Sequence, residues 1–123
     1  MEKCRYILGS ELPPEADENQ INHVRTACEM DRVHLRQLAR SYTARCWHVQ
    51  EAQLRKAIVL HIDEGNRLFK KYGTNGRLLP NHIQANVTLM EDLDIYVEAV
   101  LMDKKMIILN AHDHPPGVRR LPQ

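Results

Sequence analysis

The sequence predicts an α+β fold with an N-terminal strand, a long helical region and a C-terminal three-stranded antiparallel meander. Neither glycine nor proline occurs between Pro14 and Gly65, a stretch far longer than the average helix of about 11–12 residues. After Gly73 the apolar residues recur at every second position, which is the period of a half-buried strand. At 123 residues the chain has the size of one domain, so we expect residues 1–123 to share a single core.

The predicted N-terminal strand covers residues 1–9. Cys4, Tyr6 and Leu8 occupy alternate positions, as in a strand with one buried side. We expect this strand to end at Gly9, before the helical region.

The predicted helical region covers residues 14–72, in two or three helices. Apolar residues recur there at steps of three and four, which places them on one side of a helix. They are Ile21, Val24, Cys28, Leu35, Leu38, Tyr42 and Val49. A break is expected near Met30, with Asp31 as the N-cap of the next helix. A second apolar series runs from Leu54 to Tyr72, and Gly73 is expected to end that helix.

A connector over residues 73–82 is predicted to lead into a meander over residues 83–110. Two strands alternate apolar and polar residues, and a third apolar run begins at Met106. The links Glu91-Asp92 and Asp103-Lys104 are short enough for hairpins. Residues 111–123 contain three prolines, and we expect them to form an irregular tail.

The composition limits the classes of function. With 17 Lys and Arg against 16 Asp and Glu, the formal charge is +1, so no overall field favours a nucleic acid or an anionic membrane. The longest apolar runs, such as Ala57 to Leu60, are much shorter than the roughly 20 residues of a membrane-spanning helix. We therefore expect a cytoplasmic protein without membrane contact or cofactor. Cys4, Cys28 and Cys46 are expected to be buried, reduced thiols.

Two histidines near the end of the last predicted strand are candidates for chemistry. His112 and His114 alternate, so both imidazoles face one side, where they could bind a metal ion or move protons near neutral pH. A third metal ligand, for example His82 or Asp94, is not fixed by the sequence, and we predict no metal site. A solvated strand end is the simpler interpretation. His61 is interpreted as a packing residue with a polar tip.

Four arginines fall on about a quarter of the predicted helical circumference, beside the apolar stripe. They are Arg25, Arg32, Arg36 and Arg40. Clustered like charges repel, so the stripe suggests an anionic partner. Three interpretations stay open: a phosphate backbone, an acidic protein surface, or a solvated side neutralised by carboxylates elsewhere in the fold.

The favoured functional hypothesis is a small, non-enzymatic regulatory or adaptor protein. The apolar stripe is long for 14.3 kDa, and aromatic residues make up only 5% of the chain, which suggests self-association. We expect a homodimer or a complex with a larger protein. Its binding surface would combine the four arginines with Leu35, Leu38 and Tyr42.

The order of the predicted elements suggests two alternatives. One strand, then helices, then three strands resembles the small ribonuclease toxins of the RelE type. This resemblance implies RNA cleavage, with phosphate charge stabilised and protons moved by His112, His114, Arg119 and Arg120. The second alternative is an accessory protein that binds nucleic acid through the arginine stripe.

Overall fold

The computed structural model describes residues 12–37, 39–40, 50–90, 93–112 and 121–123. They contain two complete helices, α1 (Glu18–Glu29) and α2 (Glu51–Asp63), and residues 37, 39 and 40 are also helical. Five strands form one sheet in the order β1-β5-β4-β3-β2. Their bounds are β1 Val33–Leu35, β2 Phe69–Tyr72, β3 Leu78–Met90, β4 Leu93–Met102 and β5 Lys105–His112. The predicted α+β class is confirmed, while the predicted strand at 1–9 lies outside the described residues.

Helix α1 begins at a reciprocal capping box. The Asp17 carboxylate accepts a hydrogen bond of 2.8 Å from the Gln20 amide, and the Gln20 side chain accepts one of 3.0 Å from the Asp17 amide. Two otherwise unpaired amides are thereby satisfied. The helix ends at Glu29, which confirms the break predicted near Met30. Asp31 is not an N-cap, because it adopts the left-handed conformation at φ 57° and leads into a strand.

Strand β1 interrupts the predicted helical region of residues 14–72. Val33 and Leu35 are buried while His34 is exposed, and β1 pairs in parallel with β5. The Met106 amide donates to the Arg32 carbonyl, and the Arg36 amide donates to the Ile108 carbonyl, each at 3.0 Å. The prediction that Leu35 lies on a helix is therefore wrong, because a distant strand supplies the backbone hydrogen bonds of this segment.

Helix α2 ends nine residues before the predicted boundary at Tyr72. Its last residue is Asp63, and Gly65 takes the left-handed conformation at φ 79° that commonly ends a helix. Residues 69–72 form β2, antiparallel to β3. Gly73 instead opens the β2–β3 turn, where its amide donates to the Arg77 carbonyl at 2.7 Å. The prediction of a helix ending at Gly73 is wrong. Gly65 lies at a position that fits the apolar series from Leu54 to Tyr72, so the series continues past the residue at which the helix ends.

The predicted three-stranded meander is confirmed as β3, β4 and β5, all antiparallel. Strand β3 starts at Leu78, so the true connector is shorter than residues 73–82. Strand β5 runs to His112, so the predicted tail starts two residues too early. Asp103 and Lys104 form the β4–β5 hairpin turn with φ 31° and 65°, as their spacing predicts, whereas the Glu91-Asp92 link lies outside the described residues.

The helices cover one side of the sheet, and the core lies between the two layers. From α1 this core takes Val24, and from α2 it takes Leu54 and Ile58. The buried apolar residues of the sheet in this core are Ile83, Ala85, Val87, Ile95, Val97, Ala99, Met106 and Ile108. Cys28 also lies in the core, where burial raises the pKa of its thiol to about 12. It is a packing residue, as the sequence predicts.

Candidate active site on the polar face of the sheet

The side of the sheet away from the helices carries polar side chains together with Phe69, which pairs with Gln84 and is buried like it. Strand alternation places polar side chains there from β3, β4 and β5, and the register aligns six of them in two neighbouring rows across the strands. One row is Gln84, Glu98 and Asn110, and the other is Asn86, Tyr96 and His112. We call these six residues the polar face.

A β-bulge in β5 brings Asn110 and His112 to the polar face. Glu98 pairs with Asn110, but the next residue of β4, Ala99, pairs with Ile108, so Leu109 is an extra residue. The extra residue reverses the alternation of β5. Met106 and Ile108 on one side of the bulge and Ala111 on the other all lie in the core. Without the bulge, Asn110 and His112 would point into the apolar core.

Hydrogen bonds fix the side chains of the polar face. Asn110 Nδ2 donates to Glu98 Oε1 at 2.9 Å, and the Tyr96 hydroxyl donates to Gln84 Oε1 at 2.8 Å. Gln84 Nε2 in turn donates to the carbonyl of Lys70 at 2.9 Å. These fixed orientations make the site preorganised.

A lysine from β2 borders the polar face. Lys71 Nζ lies 3.4 Å from the Tyr96 hydroxyl, to which it donates, and 6.0 Å from the centre of the Tyr96 ring. The geometry brings one positive charge to the edge of the two rows. A cation there can attract an anionic group of a ligand.

Glu98 is a nearly buried carboxylate. It is 8% exposed, and among the described residues it forms no ion pair and one side-chain hydrogen bond, that from Asn110. A buried carboxylate without a cation costs free energy, which makes Glu98 a candidate functional residue. A carboxylate in such a site can take a proton from a substrate.

His112 lies beside Glu98 on the neighbouring strand. The two residues are diagonal neighbours, since Glu98 pairs with Asn110 and His112 is two residues further along β5. Diagonal residues on paired strands lie roughly 7–8 Å apart. The His112 ring also contacts the Tyr96 ring, with 5.2 Å between centroids. A carboxylate and an imidazole at this spacing can act on opposite sides of one reacting group.

Residues 121–123 lie against the Asn86 end of the polar face. Asn86 Nδ2 donates to the Leu121 carbonyl at 3.0 Å, and the Leu121 side chain is buried. Gln123 Nε2 donates to the Asn86 carbonyl at 3.2 Å and to Thr88 Oγ1 at 3.0 Å. These three residues have no regular secondary structure, while residues 113–120 of the predicted tail lie outside the described residues.

The four predicted arginines do not share one helical side. Arg25 lies on α1, where it pairs with Asp63 and, at 3.7 Å, with Glu29. Its hydrogen bond to Asp63 raises its pKa. Arg32 and Arg36 flank β1, and Arg40 lies in the following helical turn, because β1 separates the helices. Carboxylates thus pair with Arg25, which is what one of the three interpretations of the stripe requires of all four arginines.

The other predicted site residues fall in different places. Leu35 is buried in the core and cannot contribute to a surface, whereas Leu38, Tyr42, His114, Arg119 and Arg120 lie outside the described residues. His82 Nδ1 donates to the Pro80 carbonyl at 2.8 Å, and Asp94 accepts from Thr88 at 2.7 Å. No three His, Cys, Asp or Glu residues in the described part of the chain are placed to hold a metal ion.

Of the polar face, the sequence pattern points to His112 alone. Alternation along the strands predicts only a solvent-facing side for Glu98, Tyr96 and Gln84. One feature of the sequence could have indicated these residues: bulky polar side chains occupy matching positions in three successive strands. The register that aligns them depends on the bulge at Leu109, which the sequence does not display.

Fold and site together define a small two-layer α+β protein with a preorganised polar sheet face. The chain matches no protein-family model, no curated protein and no solved structure. Within the described ranges, neither helix combines the length and apolar character needed to cross a membrane.

Proposed function

We propose that the polar face is a general acid–base site that cleaves phosphodiester bonds in RNA. The observation that carries the proposal is the diagonal pair of Glu98 and His112, in which the carboxylate is nearly buried and has no counter-ion among the described residues. Such a pair supplies a proton acceptor and a proton donor on one rigid sheet.

The reaction needs no component beyond RNA and the protein. Glu98 takes the proton of a ribose 2′-hydroxyl, and the 2′-oxygen forms a bond to the adjacent phosphorus. The bond from phosphorus to the 5′-oxygen breaks, and protonated His112 gives its proton to that leaving oxygen. The products are a 2′,3′-cyclic phosphate and a free 5′-hydroxyl.

The neighbouring side chains assist these two residues. Lys71 offsets the negative charge that grows on the phosphate in the transition state. Asn110 orients the Glu98 carboxylate through its 2.9 Å hydrogen bond. Tyr96, whose hydroxyl donates to Gln84 at 2.8 Å, offers a ring against which a base can stack.

The reaction class is the one implied by the resemblance to RelE-type toxins, but the residue set differs. His112 is common to both sets, Glu98 and Lys71 are new, and the other residues implied by the resemblance lie outside the described ranges. Because no solved structure matches the chain, the proposal depends on the side chains of the polar face and not on fold analogy.

The test is cleavage of a labelled DNA oligonucleotide that contains a single ribonucleotide. We expect a cut after that ribonucleotide that leaves a cyclic phosphate, and no cut in the all-deoxy strand. Glu98→Gln and His112→Gln should each lower the rate by about 100-fold or more. Glu64→Gln, which alters an exposed carboxylate after α2, is the matched control and should cleave at the wild-type rate. Absence of cleavage, or full activity in folded Glu98→Gln, contradicts the proposal.

The predicted homodimeric adaptor is a second candidate, because the helical layer exposes apolar side chains. Met30 is 55% and Leu60 is 54% exposed, and a groove runs between α1 and α2. Its lining residues include Cys28, Val59 and Leu60, with both signs of charge from Glu29, Arg55, Lys56 and Asp63. A second copy related by a two-fold axis can match such a mixed surface. The test is the solution mass of the wild-type protein and of Leu60→Lys.

A further inference from the structure

We infer that a basic cleft at the β1–β5 end of the sheet binds the phosphate backbone of a single-stranded nucleic acid. The cleft lies between β1 and the β4–β5 turn. The described residues that line it include the charged and imidazole side chains of Arg32, His34, Asp103, Lys104 and Lys105, together with Val33 and Ile107. We call it the basic cleft. The inference deepens the proposed function by naming a single strand as the substrate, and to that extent it rests on that function.

The cations of the basic cleft are not neutralised by the described part of the chain. Arg32, Lys104 and Lys105 form no ion pair with any described residue, whereas Arg25 and Arg55 are held by carboxylates. Among the described residues that line the cleft, Asp103 is the sole carboxylate. The cleft therefore carries net positive charge on a chain whose formal charge is only +1.

Backbone pairing forces these cations together. The parallel register of β1 and β5 sets His34 opposite Ile107, and the hydrogen bond from the Met106 amide to the Arg32 carbonyl places Arg32 beside the start of β5. Like charges on neighbouring strands repel. An arrangement that costs free energy in the free protein is offset when an anion binds between the charges.

The basic cleft opens on the same side of the sheet as the polar face. Val33 and Leu35 are buried in the core beneath the helices, so His34 between them lies on the opposite side. From Ile107 in the cleft to Asn110 in the polar face is three residues of β5, or about 10 Å at roughly 3.3 Å per residue. One strand a few nucleotides long can span both sites.

The chemistry of the two sites favours a single strand over a duplex. Phosphates suit the arginine and lysines of the cleft. Unpaired bases can stack on the rings of Tyr96 and His112. Paired bases cannot, because they are already stacked on one another inside the double helix. An acidic protein would meet the charges of the cleft but would leave these rings without a role.

The test is binding of a fluorescent all-deoxy oligonucleotide of about 12 nucleotides, which covers a typical single-strand site and lacks the 2′-hydroxyl needed for cleavage. The wild-type protein should bind it at low salt, and the affinity should fall as salt rises. The double variant Lys104→Glu, Lys105→Glu should weaken binding by about 10-fold or more. The slope of log affinity against log salt concentration should become shallower by about 1.4, since each lost phosphate contact of a single strand contributes about 0.7.

The matched control reverses two exposed cations away from the cleft, Lys56→Glu and Arg67→Glu, and should bind within about 3-fold of wild type. If the cleft variant does not fold, as judged by circular dichroism, Lys104→Gln with Lys105→Gln replaces it and should show the same loss at smaller size. Equal binding by the cleft and control variants overturns the inference, as does equal affinity of the wild-type protein for polyglutamate.

The experiments can disprove either proposal without disproving the other. If the oligonucleotide binds through the cleft but no ribonucleotide substrate is cut, the cleft stands and the acid–base site does not. If the cleft variant cuts a single-ribonucleotide substrate at the wild-type rate and binds the oligonucleotide with the wild-type affinity, the acid–base site stands and the cleft does not.

Discussion

Buried polar residues have two different roles in this protein. Among the described residues, three of the four buried polar side chains, those of Gln84, Asn86 and Glu98, belong to the polar face, and the fourth is His61. His61 lies far from that face, on the buried side of α2. Its Nε2–H donates to the Arg67 carbonyl at 2.7 Å, which ties the chain after α2 back to the helix. Its packing role is the one the sequence predicts.

His61 should make the protein less stable in mild acid. Burial lowers the pKa of this imidazole below its ordinary 6.5, and Nδ1 is buried without a partner in the described part of the chain. The unfolded chain therefore binds more protons than the folded chain as the pH falls below 6.5, so the free energy of unfolding decreases there. Well above pH 6.5 His61 is neutral in both the folded and the unfolded chain, so this loss of stability disappears.

Urea unfolding at about pH 7.5 and about pH 5.5 measures the effect. The wild-type protein should lose more stability between the two pH values than His61→Gln, which cannot take up a proton. His34→Gln changes an exposed histidine and should lose as much as the wild type. Equal losses in wild type and His61→Gln would show that the buried imidazole does not limit stability in acid.

At the level of elements, the sequence predicts the strands of the meander and misses β1 and β2. The meander strands alternate over many residues, so their period is visible. Strand β1 has only three residues, and a spacing of seven from Cys28 to Leu35 fits a helical stripe equally well. Its pairing with β5 is a contact between distant parts of the chain, which local periodicity cannot reveal. The bulge at Leu109 is hidden for the same reason.

The β4–β5 turn offers a direct test of an element. Asp103 and Lys104 both have positive φ, 31° and 65°, which matches the two-residue hairpin turns that favour Asn or Asp followed by Gly. A lysine in this conformation is strained through its Cβ. Lys104→Gly should therefore stabilise the protein by about 0.5–1 kcal/mol, measured by urea unfolding.

The reverse change at another turn is the control for this prediction. Gly76 has φ +81°, and a Cβ added at this residue would meet no heavy atom within 4 Å, so Gly76→Ala adds strain without a clash. It should lower the free energy of unfolding by about 1 kcal/mol. If Lys104→Gly lowers stability as well, then contacts of the lysine side chain outweigh the backbone strain.

The whole molecule separates two kinds of surface by its sheet. The polar face and the basic cleft lie on one side, and the exposed Met30 and Leu60 lie on the helical layer on the other. Sequence periodicity could place polar and apolar residues in alternation, but the two sides acquire distinct roles only once five strands align. Because of this separation, variants on the two sides can test the proposed catalysis and the proposed self-association independently.

We therefore expect additive effects from variants on the two sides. Leu60→Lys replaces an exposed apolar side chain of the groove between α1 and α2 with a charge and should reduce a solution mass near twice 14.3 kDa to the monomer mass, with RNA cleavage unchanged. Glu98→Gln should abolish cleavage and leave the mass unchanged, and the double variant should show both losses, since the sites are distant and share no partner. Light scattering and the single-ribonucleotide assay measure the two properties on the same samples. A monomeric wild-type mass removes the adaptor candidate, whereas loss of cleavage in folded Leu60→Lys would mean that the active site depends on a second subunit.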